Sequence, residues 1–291
     1  MRQPNTLAFF GLSLFALSAC DDERPTSKAA APPVAHAVAA PTPYPEPIHH
    51  TPEPAQAGAN HPAVHWTYEG AEGPEHWGDL DPAWAACKTG KGQTPIDLTK
   101  GAPSDISLGQ LVFKYQPIPL EIVNNGHTIQ VEVKSDSSLS AVGTKWRLLQ
   151  FHAHASSEHT VDKKSFALEI HFVHRNDKGN LAVVGVLFDV GKENAALAPY
   201  FDHAPKEKGP AKLVQGKSLD LGKIFGPKAA YYHYQGSLTT PPCTEGVEWF
   251  VLQEVQQISA AQLAKFTETE HGPTHRPVQA LGERDLAAFK P

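Results

Sequence analysis

Apolar and polar residues alternate with a period of two along much of the chain after residue 100. The clearest case is 128–133, where Ile129, Val131 and Val133 alternate with polar side chains, as in a half-buried strand. The segments 146–154, 168–174 and 247–254 also predict strands. Residues 181–190 form a nearly continuous apolar run, which is typical of a strand buried on both faces.

Turn and helix signals complete this pattern. The stretch Asn-Asp-Lys-Gly-Asn at 176–180 predicts a hairpin between the strands at 168–174 and 181–190. The best helix candidate is 260–266, where Ser259 and Gln262 have the spacing of a capping box. We see no internal repeat, and we predict a β-rich sheet with a few short peripheral helices.

The first 20 residues have the pattern of an export signal. Arg2 precedes an apolar run over 7–19, which is too short to span a bilayer as a helix. The run ends in Leu-Ser-Ala-Cys at 17–20, a sequence similar to a bacterial lipobox, so we expect cleavage before Cys20 and lipidation of that residue. The alternative is an ordinary signal peptide, in which Cys20 is incidental. Residues 21–62 are rich in Pro and Ala and predict an extended linker.

Composition limits the classes of function. Of the 291 residues, about 230 remain for one folded domain at 63–291. The net charge of −6 provides no basic surface for nucleic acid or for an anionic membrane, so we expect a membrane contact only through a lipid anchor.

Two cysteines remain if Cys20 carries a lipid. Exported chains in an oxidising compartment tend to pair their thiols, so we predict a disulfide between Cys87 and Cys243. Two buried free thiols are the alternative.

Five of the 16 histidines fall within 152–174, and three of them have a spacing that suits a metal ion. A period of two places His152 and His154 on one face of a strand, and Glu169 and His171 on one face of the next. If these strands pair, three imidazoles converge and leave a coordination position open, as in catalytic zinc sites. The His-x-His spacing alone is also common in proteins that bind no metal.

Seven ordered motifs over about 215 residues resemble the α-class carbonic anhydrases. The zinc-site segment comprises Phe-His-Ala-His at 151–154, Ser-Glu-His-Thr-Val-Asp at 157–162 and Glu-Ile-His-Phe-Val-His at 169–174. The resemblance implies a large, twisted, mainly antiparallel central sheet with zinc at the base of a cleft. The remaining motifs are Trp-Thr-Tyr at 66–68, Gly-Pro-Glu-His-Trp at 73–77, Gln-Thr-Pro-Ile-Asp at 93–97, Asn-Asn-Gly-His at 124–127, Gly-Ser-Leu-Thr-Thr-Pro-Pro at 236–242 and Arg-Pro-Val-Gln at 276–279.

The resemblance implies reversible hydration of CO₂ to bicarbonate and a proton, through attack by a zinc-bound hydroxide. His152, His154 and His171 would bind Zn²⁺, and Thr239 would orient the hydroxide while donating its own proton to Glu158. Gln150 and Glu169 would accept hydrogen bonds from two of the metal-binding histidines. The substrate would lie in an apolar pocket formed by Val173, Val183, Leu238, Thr240 and Trp249. His127 would transfer the proton, through water ordered by Tyr68, Asn125 and Gln130. His159 and His174 are expected to be structural.

The resemblance also implies sulfonamide-type and anionic inhibitors, and it admits a homodimer. We expect a periplasmic enzyme. Two alternatives are a non-catalytic relative and a zinc-buffering lipoprotein. Neither needs Thr239 and Glu158, both of which are present here.

Overall fold

The computed structural model describes residues 64–226, 230–270 and 272–291. The predicted signal segment with Cys20 and the linker 21–62 lie outside the described residues. The domain bounds 63–291 stay a prediction.

The described residues form fourteen strands and four short α-helices. The strands are β1 (Asp97–Leu98), β2 (Val112–Lys114), β3 (Pro117–Asn124), β4 (Ile129–Glu132), β5 (Ser138–Ala141), β6 (Thr144–His154), β7 (Thr160–Val161), β8 (Leu168–Arg175), β9 (Leu181–Val190), β10 (Lys212–Asp220), β11 (Tyr231–Ser237), β12 (Glu245–Leu252), β13 (Gln256–Ile258) and β14 (Ala287–Phe289). The helices are α1 (Trp77–Leu80), α2 (Ala86–Thr89), α3 (Ala198–Asp202) and α4 (Ala260–Glu270), and short 3₁₀ turns lie at Gly70–Glu72, Pro82–Trp84, Ile106–Leu108 and Leu221–Lys223.

Twelve strands form one large sheet, and β1 and β7 form a small parallel pair. The main order is β10-β3-β4-β6-β8-β9-β12-β11-β14, with β5 against β6 and β2, and β13 against β9. All pairs in the large sheet are antiparallel except β12 and β13, which both run parallel to β9. The prediction of a β-rich, mainly antiparallel sheet is therefore confirmed.

The predicted strands lie where the period of two placed them, with small shifts at their ends. The hairpin of β8 and β9 pairs eight residues, from Leu168 opposite Phe188 to Arg175 opposite Leu181. The strand predicted at 247–254 is Glu245–Leu252 instead. It ends where the Gln253 N–H turns to the Ala230 carbonyl at 2.9 Å.

Helix α4 is longer than the predicted 260–266. The capping box is confirmed, since the Gln262 N–H donates to Ser259 Oγ at 3.2 Å and the Ser259 N–H donates to Gln262 Oε1 at 3.1 Å. The helix continues to Glu270 through two threonines of low helix propensity. Both threonines bond back to helix carbonyls, Thr267 Oγ1 to Leu263 and Thr269 Oγ1 to Phe266.

The sheet separates two apolar clusters, and this separation positions the site. Odd-numbered Phe151 and Ala153 of β6, and even-numbered Ile170 and Phe172 of β8, face the larger cluster. The opposite face carries His152, His154, Glu169 and His171, together with a smaller cluster that includes Val173, Val183, Trp249 and Val251. No helix of the described part of the chain is long and apolar enough to cross a membrane.

Candidate metal centre and active site

Three histidines converge on the face of the sheet predicted from their spacing. Strands β6 and β8 pair so that His152 lies opposite His171 and His154 lies opposite Glu169. The ring centroids are 4.9 Å apart for His152 and His154, and 4.6 Å apart for His154 and His171. One nitrogen from each ring lies within 4.8 Å of the others. The three imidazoles could therefore hold one metal ion.

Gln150 and Glu169 contact the two histidines that the resemblance assigns to them. Gln150 Oε1 lies 2.8 Å from His152 Nδ1, and Glu169 Oε1 lies 2.9 Å from His171 Nε2. Each acceptor stands two residues before its histidine on the same strand face, so one pleat spans the distance. These bonds leave Nε2 of His152 and Nδ1 of His171 available for a metal.

The third histidine is held by a segment more than 100 residues away in sequence. Thr274 supplies its carbonyl to His154 Nδ1 at 2.5 Å, and its Oγ1 accepts from the Ala155 N–H at 2.9 Å. Because the contact to the ring uses a main-chain carbonyl, the identity of residue 274 matters little for it. His154 Nε2 remains for the metal.

Glu169 organises the region behind the metal ligands. Besides His171, its buried carboxylate accepts from the Glu158 N–H at 3.0 Å, the His159 N–H at 2.8 Å and His159 Nδ1 at 2.7 Å. Gly185 of β9 lies opposite His171, and a Cβ at this position would lie 2.8 Å from Glu169 Oε1. A residue without a side chain is therefore needed at 185 to leave room for the carboxylate.

Burial sets the charge state of the site. It lowers the pKa of His152 well below its ordinary value, and the neighbouring His154 and His171 add to this effect. Burial also lowers the pKa of His154. Both rings are thus held as neutral imidazole, the form that binds metal. At His171 burial opposes the charged form, but the charge and hydrogen bond of Glu169, helped by Glu158, raise the pKa.

Unsatisfied polar atoms show that the three histidines fit a cation. His154 Nε2 and Glu158 Oε2 are buried, and neither has a hydrogen-bond partner among the residues that the structure describes. Glu158 Oε2 lies 3.6 Å from His154 Nε2 and 3.7 Å from His171 Nδ1. A buried polar group left unpaired is costly, and a cation bound by the histidines removes this cost for His154. The described residues supply three nitrogen donors and no fourth side chain to this group, which is also the donor set of a catalytic zinc.

The Glu158 carboxylate is tied to the chain through its other oxygen. Glu158 Oε1 accepts from the Arg276 N–H at 2.8 Å. Among the described residues, Glu158 Oε2 makes no hydrogen bond, so the predicted bond from Thr239 is not formed in this structure. Thr239 itself is buried in the loop after β11, where the Leu238 N–H donates to the Thr244 carbonyl at 2.9 Å.

The predicted apolar pocket residues lie together beside the histidines. Val173, Val183 and Trp249 belong to the cluster on the metal face, and Leu238 packs against it. The Trp249 ring lies 4.9 Å from the His171 ring, and Trp249 Nε1 donates to the Ser237 carbonyl at 3.0 Å. Trp249 therefore connects the metal face to the loop that carries Thr239 and Thr240.

His127 lies on a polar turn next to an aromatic ring. Asn125 Oδ1 accepts from the N–H groups of His127 and Thr128 at 2.8 and 2.9 Å, which fixes the turn between β3 and β4. The imidazole stacks on Trp66, with centroids 3.7 Å apart and planes 6° apart. The pKa of His127 is lowered to about 4. Burial is the largest cause, and the positive charges of Lys208 and His65 contribute to the same shift.

The three residues assigned to water ordering have different surroundings. Asn125 is used by the turn, and Gln130 Nε2 donates to Glu132 Oε1 at 2.5 Å. The Tyr68 hydroxyl is buried and has no hydrogen-bond partner within the described ranges 64–226, 230–270 and 272–291. Burial raises the pKa of Tyr68, and the negative charges of Glu158 and Glu270 act in the same direction. Their role in ordering water stays a prediction.

The disulfide is confirmed, and so is the burial of the two histidines expected to be structural. Cys87 and Cys243 are bonded, with Cα atoms 5.0 Å apart. His159 lies between Glu169 and the Tyr234 hydroxyl, 2.7 Å from each. His174 Nε2 lies 2.7 Å from the Tyr115 hydroxyl, and burial lowers the pKa of His174 to about 3.

Sequence reasoning assigned no role to Arg276, Gly185 or Tyr234. Arg276 is buried, and its guanidinium donates to Gln93 Oε1 and to the carbonyls of Thr94 and Cys87, each at 2.8 Å. Burial lowers the pKa of Arg276 to about 10. An arginine within a recognised motif was a usable signal for its role, but Gly185 and Tyr234 carry no local signal because their partners are distant in sequence.

Comparison with known proteins agrees with this geometry. Residues 72–289 match the family described as eukaryotic-type carbonic anhydrase. A carbonic anhydrase from Nostoc sp. is 42% identical over 224 residues, covering 76% of this chain and 84% of that protein. A carbonic anhydrase from Klebsiella pneumoniae is 42% identical over 225 residues, covering 76% of this chain and 90% of that protein. The solved structure of an α-carbonic anhydrase from Thermovibrio ammonificans, in complex with the inhibitor sulfanilamide, is 42% identical with a TM-score of 0.74, and covers 78% of this chain and 100% of that one.

The fold and the site define a β-sheet protein whose three converging histidines could hold a metal ion. The chain belongs to the α-class, or eukaryotic-type, carbonic anhydrase family. It is a zinc enzyme that catalyses the reversible hydration of CO₂ to bicarbonate and a proton. The comparisons do not favour a zinc-buffering lipoprotein.

Proposed function

We propose that His152, His154 and His171 hold the zinc, and that Thr239 and Glu158 direct the reaction at it. The observation that carries the proposal is the convergence of three ring nitrogens, each backed by an acceptor on the far side of its ring. When bound, the ion lowers the pKa of a coordinated water to about 7, a property for which carbonic anhydrases are the type case.

The chain's own residues would orient the reactants. Glu158 Oε2 is an acceptor with no partner in the described part of the chain, so the Thr239 hydroxyl can donate to it. The Thr239 oxygen is then left as an acceptor and orients the attacking oxygen towards carbon. The Thr239 N–H would hold a CO₂ or bicarbonate oxygen, with CO₂ resting on Val173, Val183, Leu238, Thr240 and Trp249. This arrangement assigns catalysis, rather than zinc storage, to the site.

His127 would pass the product proton from the cleft to the solvent. It lies half-buried at the turn between β3 and β4, and Tyr68, Asn125 and Gln130 would order the water that connects it to the cleft. A relay works best when its pKa is near the working pH. His127 therefore relays protons efficiently when its ring leaves the Trp66 stack for a more solvated position.

Replacing any one of His152, His154 and His171 with Ala tests the zinc assignment. We expect loss of most bound zinc by atomic absorption, and loss of nearly all CO₂ hydration in a stopped-flow assay. The companion variants Thr239→Val and Glu158→Gln should keep their zinc but lose activity, because they leave the histidines intact. Full activity in a zinc-free variant would contradict the assignment.

We also propose that the enzyme is a periplasmic lipoprotein, tethered through Cys20 and held off the membrane by the linker 21–62. The support is the lipobox-like sequence at 17–20 and the proline content of the linker, since Pro-rich chains resist collapse. The acidic domain needs such an anchor because it lacks a basic surface.

Binding of sulfonamides and assembly as a homodimer also belong to this proposal. The sulfanilamide complex of the Thermovibrio enzyme supports the first, and sedimentation would test the second.

A Cys20→Ser variant tests the anchor. We expect it either to stay unprocessed or to be released as a soluble, active enzyme, while the wild type fractionates with membranes. Mass spectrometry of the wild-type N-terminus should show acyl chains on Cys20. A fully soluble wild type with an unlipidated N-terminus would refute the anchor and leave the enzyme assignment intact.

A further inference from the structure

Thr94 is fully buried outside the metal centre and is bonded to the strand that leads to Thr239. Its Oγ1 accepts from the Ser237 N–H at 2.9 Å, and its own N–H donates to Ser237 Oγ at 3.0 Å. Ser237 ends strand β11 and precedes Thr239 by two residues. This pair of bonds fixes the start of the loop that presents the Thr239 hydroxyl and N–H.

The carbonyl of Thr94 is bonded to the segment that holds Glu158. Arg276 Nη1 donates to this carbonyl at 2.8 Å, and the Arg276 N–H donates to Glu158 Oε1 at 2.8 Å. Thr94 therefore touches the support of both members of the proposed Thr239–Glu158 pair. The two members come from segments about 80 residues apart in sequence, so their spacing depends on such tertiary contacts.

A third connection joins Thr94 to the region behind the metal ligands. The Tyr234 hydroxyl donates to Thr94 Oγ1 at 3.2 Å and lies 2.7 Å from His159 Nε2. His159 and His171 both bond Glu169 Oε1, at 2.7 and 2.9 Å. The threonine hydroxyl thus has a rigid anchor on its side away from Ser237.

The space around the Thr94 hydroxyl is too small for a water molecule to replace it. A Cβ at Gly236 would lie 2.1 Å from Thr94 Oγ1, so the hydroxyl packs directly on the main chain of β11. Without the hydroxyl, the buried Ser237 N–H loses its acceptor, and the tight packing leaves no room for water to replace it.

We propose that Thr94 is a positioning residue, whose hydroxyl fixes the loop that carries Thr239 relative to the segment that carries Glu158. The inference rests on the proposed roles of Thr239 and Glu158 and adds a residue that touches neither the metal nor the substrate. Loss of the hydroxyl lets the loop at 237–240 move relative to Glu158, while the three histidines keep their places.

The first test compares Thr94→Val, which keeps the branched shape, with Thr94→Ser, which keeps the hydroxyl. We expect the valine variant to lose about tenfold in kcat/KM for CO₂ hydration, the cost of one buried hydrogen bond. The serine variant should stay within about twofold of the wild type by the same reasoning. Tyr231→Phe is the matched control: it removes a buried hydroxyl of the same strand, bonded to the Gly109 carbonyl at 2.8 Å and not to Thr94. It should leave activity unchanged.

Hydrogen exchange gives a readout that does not depend on activity. In Thr94→Val, the amides at 237–240 should exchange about tenfold faster than in the wild type, both without metal and with zinc, because the acceptor of the Ser237 N–H is gone. The zinc content should remain at the wild-type level. Unchanged exchange at these amides would overturn the inference.

A double-mutant cycle separates this inference from the proposed function. If Thr94 acts through Thr239, Thr94→Val should have no further effect on activity in a Thr239→Val background. Additive losses would overturn the positioning role while leaving Thr239 as a catalytic residue. Full activity of Thr239→Val alone would overturn the proposed role of Thr239, and the role of Thr94 with it.

Discussion

At the scale of single residues, His127 shows how one aromatic contact sets the chemistry of a side chain. The imidazole is stacked 3.7 Å from the Trp66 ring, and Lys208 and His65 add positive charge nearby. Burial is the first cause of the fall in pKa to about 4, and Trp66 covers one face of the ring. A stacked His127 is therefore neutral at pH 7. Because the unfolded chain takes up this proton more readily than the folded one, the group lowers the stability of the fold as the pH falls from about 6.5 towards 4.

Trp66→Ala should raise the pKa of His127 towards the ordinary value of about 6.5, because the ring gains solvent. Lys208→Met should raise it less, since the charge of Lys208 is the smaller cause. NMR titration of the His127 ring protons measures both shifts.

Trp84→Ala is the control, because Trp84 packs in the same aromatic region without stacking on His127. A wild-type His127 that already titrates near 6.5, or a pKa that Trp66→Ala does not change, would show that the stack does not govern this residue.

At the scale of elements, the period of two predicted the central strands and the face that carries the metal site. In β6 and β8 apolar residues alternate strongly with other residues because one face packs on the large apolar cluster. The sequence therefore predicted that His152, His154 and His171 lie on the opposite face. The pairing of β9 with β12 in parallel could not be predicted, since a strand buried on both faces shows no sign of its neighbour's direction.

The outer strands were missed for identifiable physical reasons. Strand β10 is exposed over most of its length, so the burial that produces a periodic pattern is absent. In β3 the burial does alternate, but Pro117 and Pro119 obscure it, because proline is unusual inside a sheet. Thr274, which bonds His154, and Arg276, which bonds Glu158, follow helix α4 in the chain. Contacts of this kind depend on the tertiary fold, and only family motifs pointed to this segment.

At the scale of the whole molecule, the disulfide joins the N-terminal aromatic region to the active-site loop. Cys87 lies in helix α2, and Cys243 follows Thr239 by four residues, so the bond spans a sequence separation of 156. Both cysteines pack with Trp77 in a small separate cluster. Their carbonyls accept from Arg276 Nη2 and Gln93 Nε2, at 2.8 and 3.1 Å. The bridge therefore supports the same segments that hold Glu158 and Thr94.

Replacing both cysteines, as Cys87→Ser with Cys243→Ser, should lower the free energy of unfolding by about 4–5 kcal/mol, the entropy of closing so long a loop in the unfolded chain. For a domain of this size the loss corresponds to a fall in Tm of about 10 °C or more. Zinc should still bind at low temperature, because the three histidines lie on β6 and β8, away from the bridge. Denaturant unfolding of the zinc-loaded variant, compared with wild type before and after reduction, measures the loss. Reduced wild type should match the double variant, because both lack the same covalent constraint. Equal unfolding midpoints for oxidised and reduced wild type would show instead that the packing around Trp77 holds these segments without the bridge.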